Sequence, residues 1–149
     1  MAKLSDRAST DIDAPIESVW AIVQDVARWP EWQATLGSLA ILEQDGDGRV
    51  ARCAIELDAK VRKIKLKLGC SYAPPEQMSF RRESGDLSAL SGSWRLEGLG
   101  DGRTRATYAL DVDPGGVLKF FLTDERVAKL RETLVDVRPA ELKARAEAG

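Results

Sequence analysis

Histidine is absent from the 149 residues of this chain. That absence removes the serine–histidine and cysteine–histidine nucleophile pairs, the imidazole general base and the commonest nitrogen ligand of transition metals. Cysteine is scarce: Cys53 and Cys70 are the only two and form no CxxC, so a zinc site has little to build on and no metal is expected. Both lie in apolar, alternating stretches and read as reduced, buried thiols. Charge of either sign is not in excess. The 22 Lys and Arg nearly balance the 24 Asp and Glu, for a formal net charge of -2, and no long-range field attracts nucleic acid or an anionic membrane. No apolar run approaches the roughly 18 residues that span a bilayer, so no stable membrane insertion is expected. The start, Met1-Ala2-Lys3-Leu4-Ser5-Asp6, lacks the apolar core of a signal peptide, and the expectation is a cytoplasmic protein. No glycine-rich phosphate loop is present, and no cofactor is expected.

What is present is the composition of a globular domain, 44% hydrophobic and 31% charged. At this length a single domain over residues 1–149 is expected, one that buries about 68–70% of its unfolded surface. The stretch from Gly116 to Ala148 organises it. Phe120, Val127, Leu130, Leu134 and Val137 recur at helical spacing, and the roughly 20 residues up to Pro139 would span about 30 Å. Thr123 with Asp124 and Glu125 caps a fresh start, which allows a break after Phe121-Leu122. Pro139 kinks the helix or begins a last piece in which Leu142 continues the stripe.

At the other end, residues 4–13 alternate Leu4, Ala8, Thr10 and Ile12 with polar neighbours, as a strand does. Ala14-Pro15-Ile16-Glu17 starts a helix whose stripe is Ile16, Val19, Trp20, Val23 and Val26. Arg28-Trp29-Pro30-Glu31-Trp32-Gln33 then forms a turn or second short helix, its tryptophans either capping the core or standing at a pocket mouth.

From Leu36 to Val112 the period changes to two, punctuated by Asp45-Gly46-Asp47-Gly48, Asp58-Ala59-Lys60, Ala73-Pro74-Pro75, Ser84-Gly85-Asp86 and Gly98 to Gly102. Six strands in a meander follow, seven with the first. A short turn at Ala59-Lys60 places Cys53 opposite Leu66, Ile55 opposite Ile64 and Glu56 opposite Lys63; a turn at Gly85 pairs Phe80 with Leu90. One sheet face is then apolar and the other charged, and the C-terminal helix covers the apolar one. The outer row Lys63, Lys65, Lys67, Arg52 and Arg81, interspersed with Glu56, Asp58 and Glu83, reads as a solvated surface. No aromatics interleave for base stacking, and no nucleic-acid partner is expected.

The order strand, helix pair, six-strand meander and long helix resembles the helix-grip fold of the START-like (SRPBCC) superfamily, and the likeness runs over nearly the whole chain. Its carriers are Asp13-Ala14-Pro15-Ile16-Glu17-Ser18-Val19-Trp20, Asp25 with Trp29-Pro30-Glu31-Trp32, Gly92-Ser93-Trp94-Arg95-Leu96 and Thr104-Arg105-Ala106-Thr107-Tyr108. They are most similar to the bacterial polyketide cyclase/dehydrase-like branch. The resemblance implies an α+β fold, a seven-stranded curved antiparallel sheet wrapped around the C-terminal helix, with an apolar cavity between them. Its implied wall is Leu57, Ile64, Leu66, Leu68, Phe80, Leu90, Trp94 and Tyr108 from the sheet, Phe121, Leu130 and Leu134 from the helix, and Trp29 and Trp32 at the mouth. The same side chains would equally fill a solid core.

Four polar side chains share the inward parity. Arg82, beside Phe80 and opposite Ser88, would orient a ligand carboxylate or carbonyl, or else reach to water; Arg62 has the same parity. Tyr72 and Tyr108 would offer hydroxyls to a ligand or to structural partners. Three functions fit these residues. The first is binding or transport of a hydrophobic small molecule such as a lipid, quinone or polyketide-like compound. The second is a cyclase or dehydratase that folds its substrate and polarises carbonyls with Tyr72, Arg82 and Tyr108, although no inward carboxylate or imidazole supplies a base. The third is a protein-interaction module.

Overall fold

The computed structural model describes residues 4–58, 63–116 and 123–148. β1 (Leu4–Ile12) leads into α1 (Ile16–Val23) and a 3-10 turn (Val26–Glu31). Six strands follow: β2 (Leu36–Gln44), β3 (Val50–Asp58), β4 (Lys63–Ala73), β5 (Gln77–Gly85), β6 (Ala89–Gly100) and β7 (Arg103–Asp113). The chain ends in α2 (Asp124–Arg131), a π-helical turn (Glu132–Asp136) and α3 (Arg138–Ala148). The architecture is the α+β helix-grip fold. All strand pairs are antiparallel, in the order β1-β7-β6-β5-β4-β3-β2. Each meander hairpin joins neighbours, and β1 closes beside β7, with Leu4 opposite Val112 and Ile12 opposite Thr104.

Two registers differ from expectation, both by two residues. Cys53 faces Leu68, Ile55 faces Leu66 and Glu56 faces Lys65, in the register set by the last pair, Asp58 with Lys63. Phe80 faces Gly92 rather than Leu90. The end of β5 turns to β4 instead, with Arg82 on Leu68 and Gly85 on Leu66, so Arg82 and Ser88 are not partners. Gly85 has φ 111°, and a Cβ there would stand 2.4 Å from the Lys65 carbonyl oxygen. A Cβ on Gly92 would stand 2.3 Å from Phe80 Cζ, so a residue without a side chain lets the phenyl ring lie across β6.

α1 begins at the expected proline, Pro15 standing at its N-cap, and buries Val19, Trp20 and Val23. The C-terminal helix departs from a single 3.6-residue stripe. Thr123 caps α2 as expected, its hydroxyl accepting from the Arg126 amide at 3.2 Å. The wide π turn then changes the facing residues. Leu134 and Val135 are buried, Val137 is 38% exposed and Arg138 is 2% exposed. A π turn holds more residues than an α turn, so the buried face shifts along the sequence: Arg138, four residues after Leu134, is turned in and Val137 is turned out. Pro139 sits in the first turn of α3, where its missing N–H has no cost, and Leu142 continues the buried line.

α3 is tied to the body at several points. Glu141 Oε2 accepts from the Ala34 amide at 2.8 Å, and Arg145 pairs with Glu31 at 2.7 Å. Lys143 Nζ donates to the Asp11 carbonyl at 3.1 Å, and Glu147 Oε2 accepts from the Asp13 amide at 2.8 Å. α2 buries none of its residues fully and is held to β1 by Arg131 and Asp6 at 2.7 Å. Phe120, Phe121 and Arg62 lie outside the described residues.

Candidate functional site

Between the apolar sheet face and the C-terminal helix lies a cavity of about 500 Å³, within the range of small-molecule sites. Nine of the residues expected in its wall are there: Trp29, Leu57, Ile64, Leu68, Phe80, Leu90, Tyr108, Leu130 and Leu134. Period-two alternation brings the strand residues inward, and helical spacing adds the other two. The cavity also takes in Leu4, Gln33, Leu36, Leu39, Cys53, Ile55, Leu87, Leu110, Val112, Pro114, Arg126, Val127 and Arg138. It runs along the helix from exposed Arg126 to buried Arg138, roughly 18 Å at the α-helical rise.

The other expected site residues are placed elsewhere. Leu66 is buried but does not reach the cavity wall. Arg82 folds onto its own hairpin, donating from Nε to the Asp86 carbonyl at 3.2 Å and from Nη2 to the Gly85 carbonyl at 3.0 Å. Tyr72 donates to the Val50 carbonyl at 2.6 Å and meets Trp20 edge-on at 6.4 Å. Trp32 and Trp94 stand behind the wall rather than in it.

Those two tryptophans complete a closed circuit of five aromatic rings. Trp29 meets Phe80 at 5.8 Å, Phe80 stacks on Tyr108 at 6.3 Å, and Tyr108 meets Trp94 at 4.7 Å. Trp94 meets Trp32 at 6.1 Å, and Trp32 returns to Trp29 at 6.5 Å. Such pairs contribute about 0.5–1.5 kcal/mol each beyond the area they bury. Trp29 is fixed further by its indole N–H, which donates to the Val23 carbonyl at 3.0 Å.

The deep end of the cavity is polar. The Arg138 guanidinium stands 6.0 Å from the Tyr108 ring centre, donating from Nη1 to Glu141 Oε1 and from Nη2 to Thr35 Oγ1, both at 2.7 Å. Burial pushes the Tyr108 hydroxyl's pKa up, and the neighbouring guanidinium draws it partly back. The tyrosine is therefore a neutral donor at ordinary pH. Three buried side-chain nitrogens have no hydrogen-bond partner among the described residues: Gln33 Nε2, Trp94 Nε1 and Arg138 Nε. Arg138 escaped the sequence reading because a 3.6-residue period puts Val137 inward. The available hint was its spacing of four from Leu134. Gln33 carried no pattern at all.

Cys53 and Cys70 are free thiols, as expected, and their mutual hydrogen bond together with burial pushes the Cys70 pKa up. Among the described residues, no three His, Cys, Asp or Glu gather as a metal site requires. No helix among them is long and apolar enough to cross a membrane.

A bent antiparallel sheet closed over a helix, with an apolar cavity between, is the arrangement of START-type domains. The family described as polyketide cyclase / dehydrase and lipid transport matches residues 12–136, and the chain belongs to it. A START superfamily protein from Mycobacterium smegmatis superposes with a TM-score of 0.81 at 20% identity, over 98% of this chain and 97% of that one. TTHA0849 from Thermus thermophilus gives 0.83 at 22% identity, over 97% and 98%. The Zhui aromatase/cyclase from Streptomyces sp. R1128 gives 0.78 at 18% identity, over 97% and 94%. The uncharacterized protein PA1579 of Pseudomonas aeruginosa is 27% identical over 81% of this chain, and the match takes in 66% of that protein's length.

Proposed function

We propose that the chain binds and carries a hydrophobic small molecule, of the lipid, quinone or polyketide class, between the sheet and the C-terminal helix. The observation that supports this is the cavity of about 500 Å³ walled almost wholly by apolar side chains. Burial of an apolar ligand there removes its surface from water at about 25 cal/mol per Å². The family description, which names lipid transport, agrees with it.

Native mass spectrometry of freshly purified protein tests the reading. The expected result is an added mass that disappears on denaturation, with the bound compound recovered in a solvent extract. Failure to take up any apolar compound, including 2-ethylnaphthalene added at saturation, would end it.

A second reading, cyclisation or dehydration of a polyketide-like chain, is favoured by one observation: Tyr108 and Arg138 stand together at the cavity wall. A neutral phenol and a guanidinium would polarise a carbonyl while the walls fold the substrate. The same family description, and the aromatase/cyclase among the structural neighbours, support it. Tyr108→Phe separates the two readings. A carrier keeps its ligand, whereas an enzyme keeps binding but loses turnover by about 10²-fold or more.

A further inference from the structure

The deep end of the cavity constrains what enters it, and the inference rests on the cavity reading just given. Gln33 is 5% exposed and Arg138 is 2% exposed, both line the cavity, and each keeps one side-chain nitrogen without an acceptor among the described residues. Folded proteins rarely leave buried donors unmatched, and two along one cavity wall mark a place where an acceptor belongs. Arg138 cannot swing away to satisfy itself. Its Nη1 is held by Glu141 and its Nη2 by Thr35, each at 2.7 Å, and Glu141 is pinned by the Ala34 amide at 2.8 Å. The guanidinium plane is thus fixed, Nε is its one nitrogen with no partner among the described residues, and a guanidinium accepts nothing. Trp94 Nε1 is also unmatched, but Trp94 does not line the cavity and is not counted.

The acceptor's charge follows from the neighbours. Arg138 is already neutralised by Glu141. The other cation among the lining residues, Arg126, stands at the opposite end, roughly 18 Å along the helix. A ligand carboxylate at Arg138 would therefore face Glu141 in a desolvated space with no cation of its own. A carbonyl oxygen has lone pairs and no net charge.

We infer that the cavity takes an apolar molecule bearing a neutral carbonyl, of the ketone or quinone class, inserted with its carbonyl oxygen toward Arg138 Nε–H and Gln33 Nε2–H. The apolar body lies toward Leu130 and the cavity's outer end.

Isothermal titration of three probes with one ring system tests this: 2-acetylnaphthalene, 2-ethylnaphthalene and 2-naphthoate. The ketone should bind about tenfold more tightly than the isosteric hydrocarbon, the value of one well-made hydrogen bond. Gln33→Leu should cut the ratio of ketone to hydrocarbon affinity severalfold, a ratio in which any general change to the cavity wall cancels. Arg138→Lys, which keeps a cation for Glu141 but lacks the Nε–H, should also lose the preference. Equal affinity for ketone and hydrocarbon would overturn the inference and leave the cavity reading standing. Tighter binding of 2-naphthoate than of the ketone would overturn it too, by showing a site for anions. If neither neutral probe binds, the cavity reading falls with it.

Discussion

Tyr72 and Tyr108 both occupy inward positions of their strands, and burial raises the pKa of each above the ordinary value near 10. In the fold, then, both hydroxyls stay protonated at pH values where the unfolded chain has begun to ionise. Below pH 10 neither state gives up its proton and the two residues add no pH dependence. Above it the unfolded state alone ionises, so stability falls as pH rises. We predict that Tyr72→Phe combined with Tyr108→Phe flattens the alkaline decline in urea-unfolding free energy above about pH 10, at the cost of about 1 kcal/mol at neutral pH for the lost bond to Val50. An equally steep decline in the double variant would refute the assignment. At this scale the sequence told which way most side chains point. It did not tell what they meet: Arg82 had the right parity and ended on its own hairpin carbonyls, while Arg138, which the sequence reading did not single out, is a buried cation.

The C-terminal helix is two pieces with unequal anchorage. α3 is fastened through Glu141, Lys143, Arg145 and Glu147, whereas α2 depends on its Thr123 cap, the Arg131–Asp6 pair and half-buried Val127 and Leu130. Removing the cap should act locally. Thr123→Ala is expected to cost α2 about 1 kcal/mol, read as several-fold faster hydrogen exchange over residues 126–131 with α3 unchanged. Uniform acceleration through both helices would mean that they open as one unit. The same elements show why sequence reading reached the strands and stopped short of their pairing. Alternation has a period of two, so a register slipped by two residues presents the same faces, and Cys53 against Leu66 reads as well as Cys53 against Leu68. The π turn has no such periodic mark, and it moved the inward position from Val137 to Arg138.

For the molecule as a whole, the order of elements was legible throughout, because each hairpin is short and each amphipathic face has a single place to go. The cavity was not. A wall and a packed core use the same residues, and only the distance between sheet and helix decides which they are. Filling the space therefore separates stability from binding. Leu130→Trp should abolish uptake of 2-ethylnaphthalene while leaving the thermal midpoint equal or higher, since the indole occupies a void rather than displacing packed atoms. A midpoint lowered by several degrees would show that Leu130 already fills its surroundings.

The five-ring circuit of Trp29, Phe80, Tyr108, Trp94 and Trp32 has a consequence in optics. Three of the chain's four tryptophans are held in it at fixed separations and tilts, a chiral array of chromophores whose transition dipoles couple. One of them, Trp29, also forms part of the cavity wall. An aromatic guest would join the array on arrival, altering its ellipticity and draining its emission. The protein thus carries its own occupancy gauge, and near-ultraviolet dichroism reads it without a label.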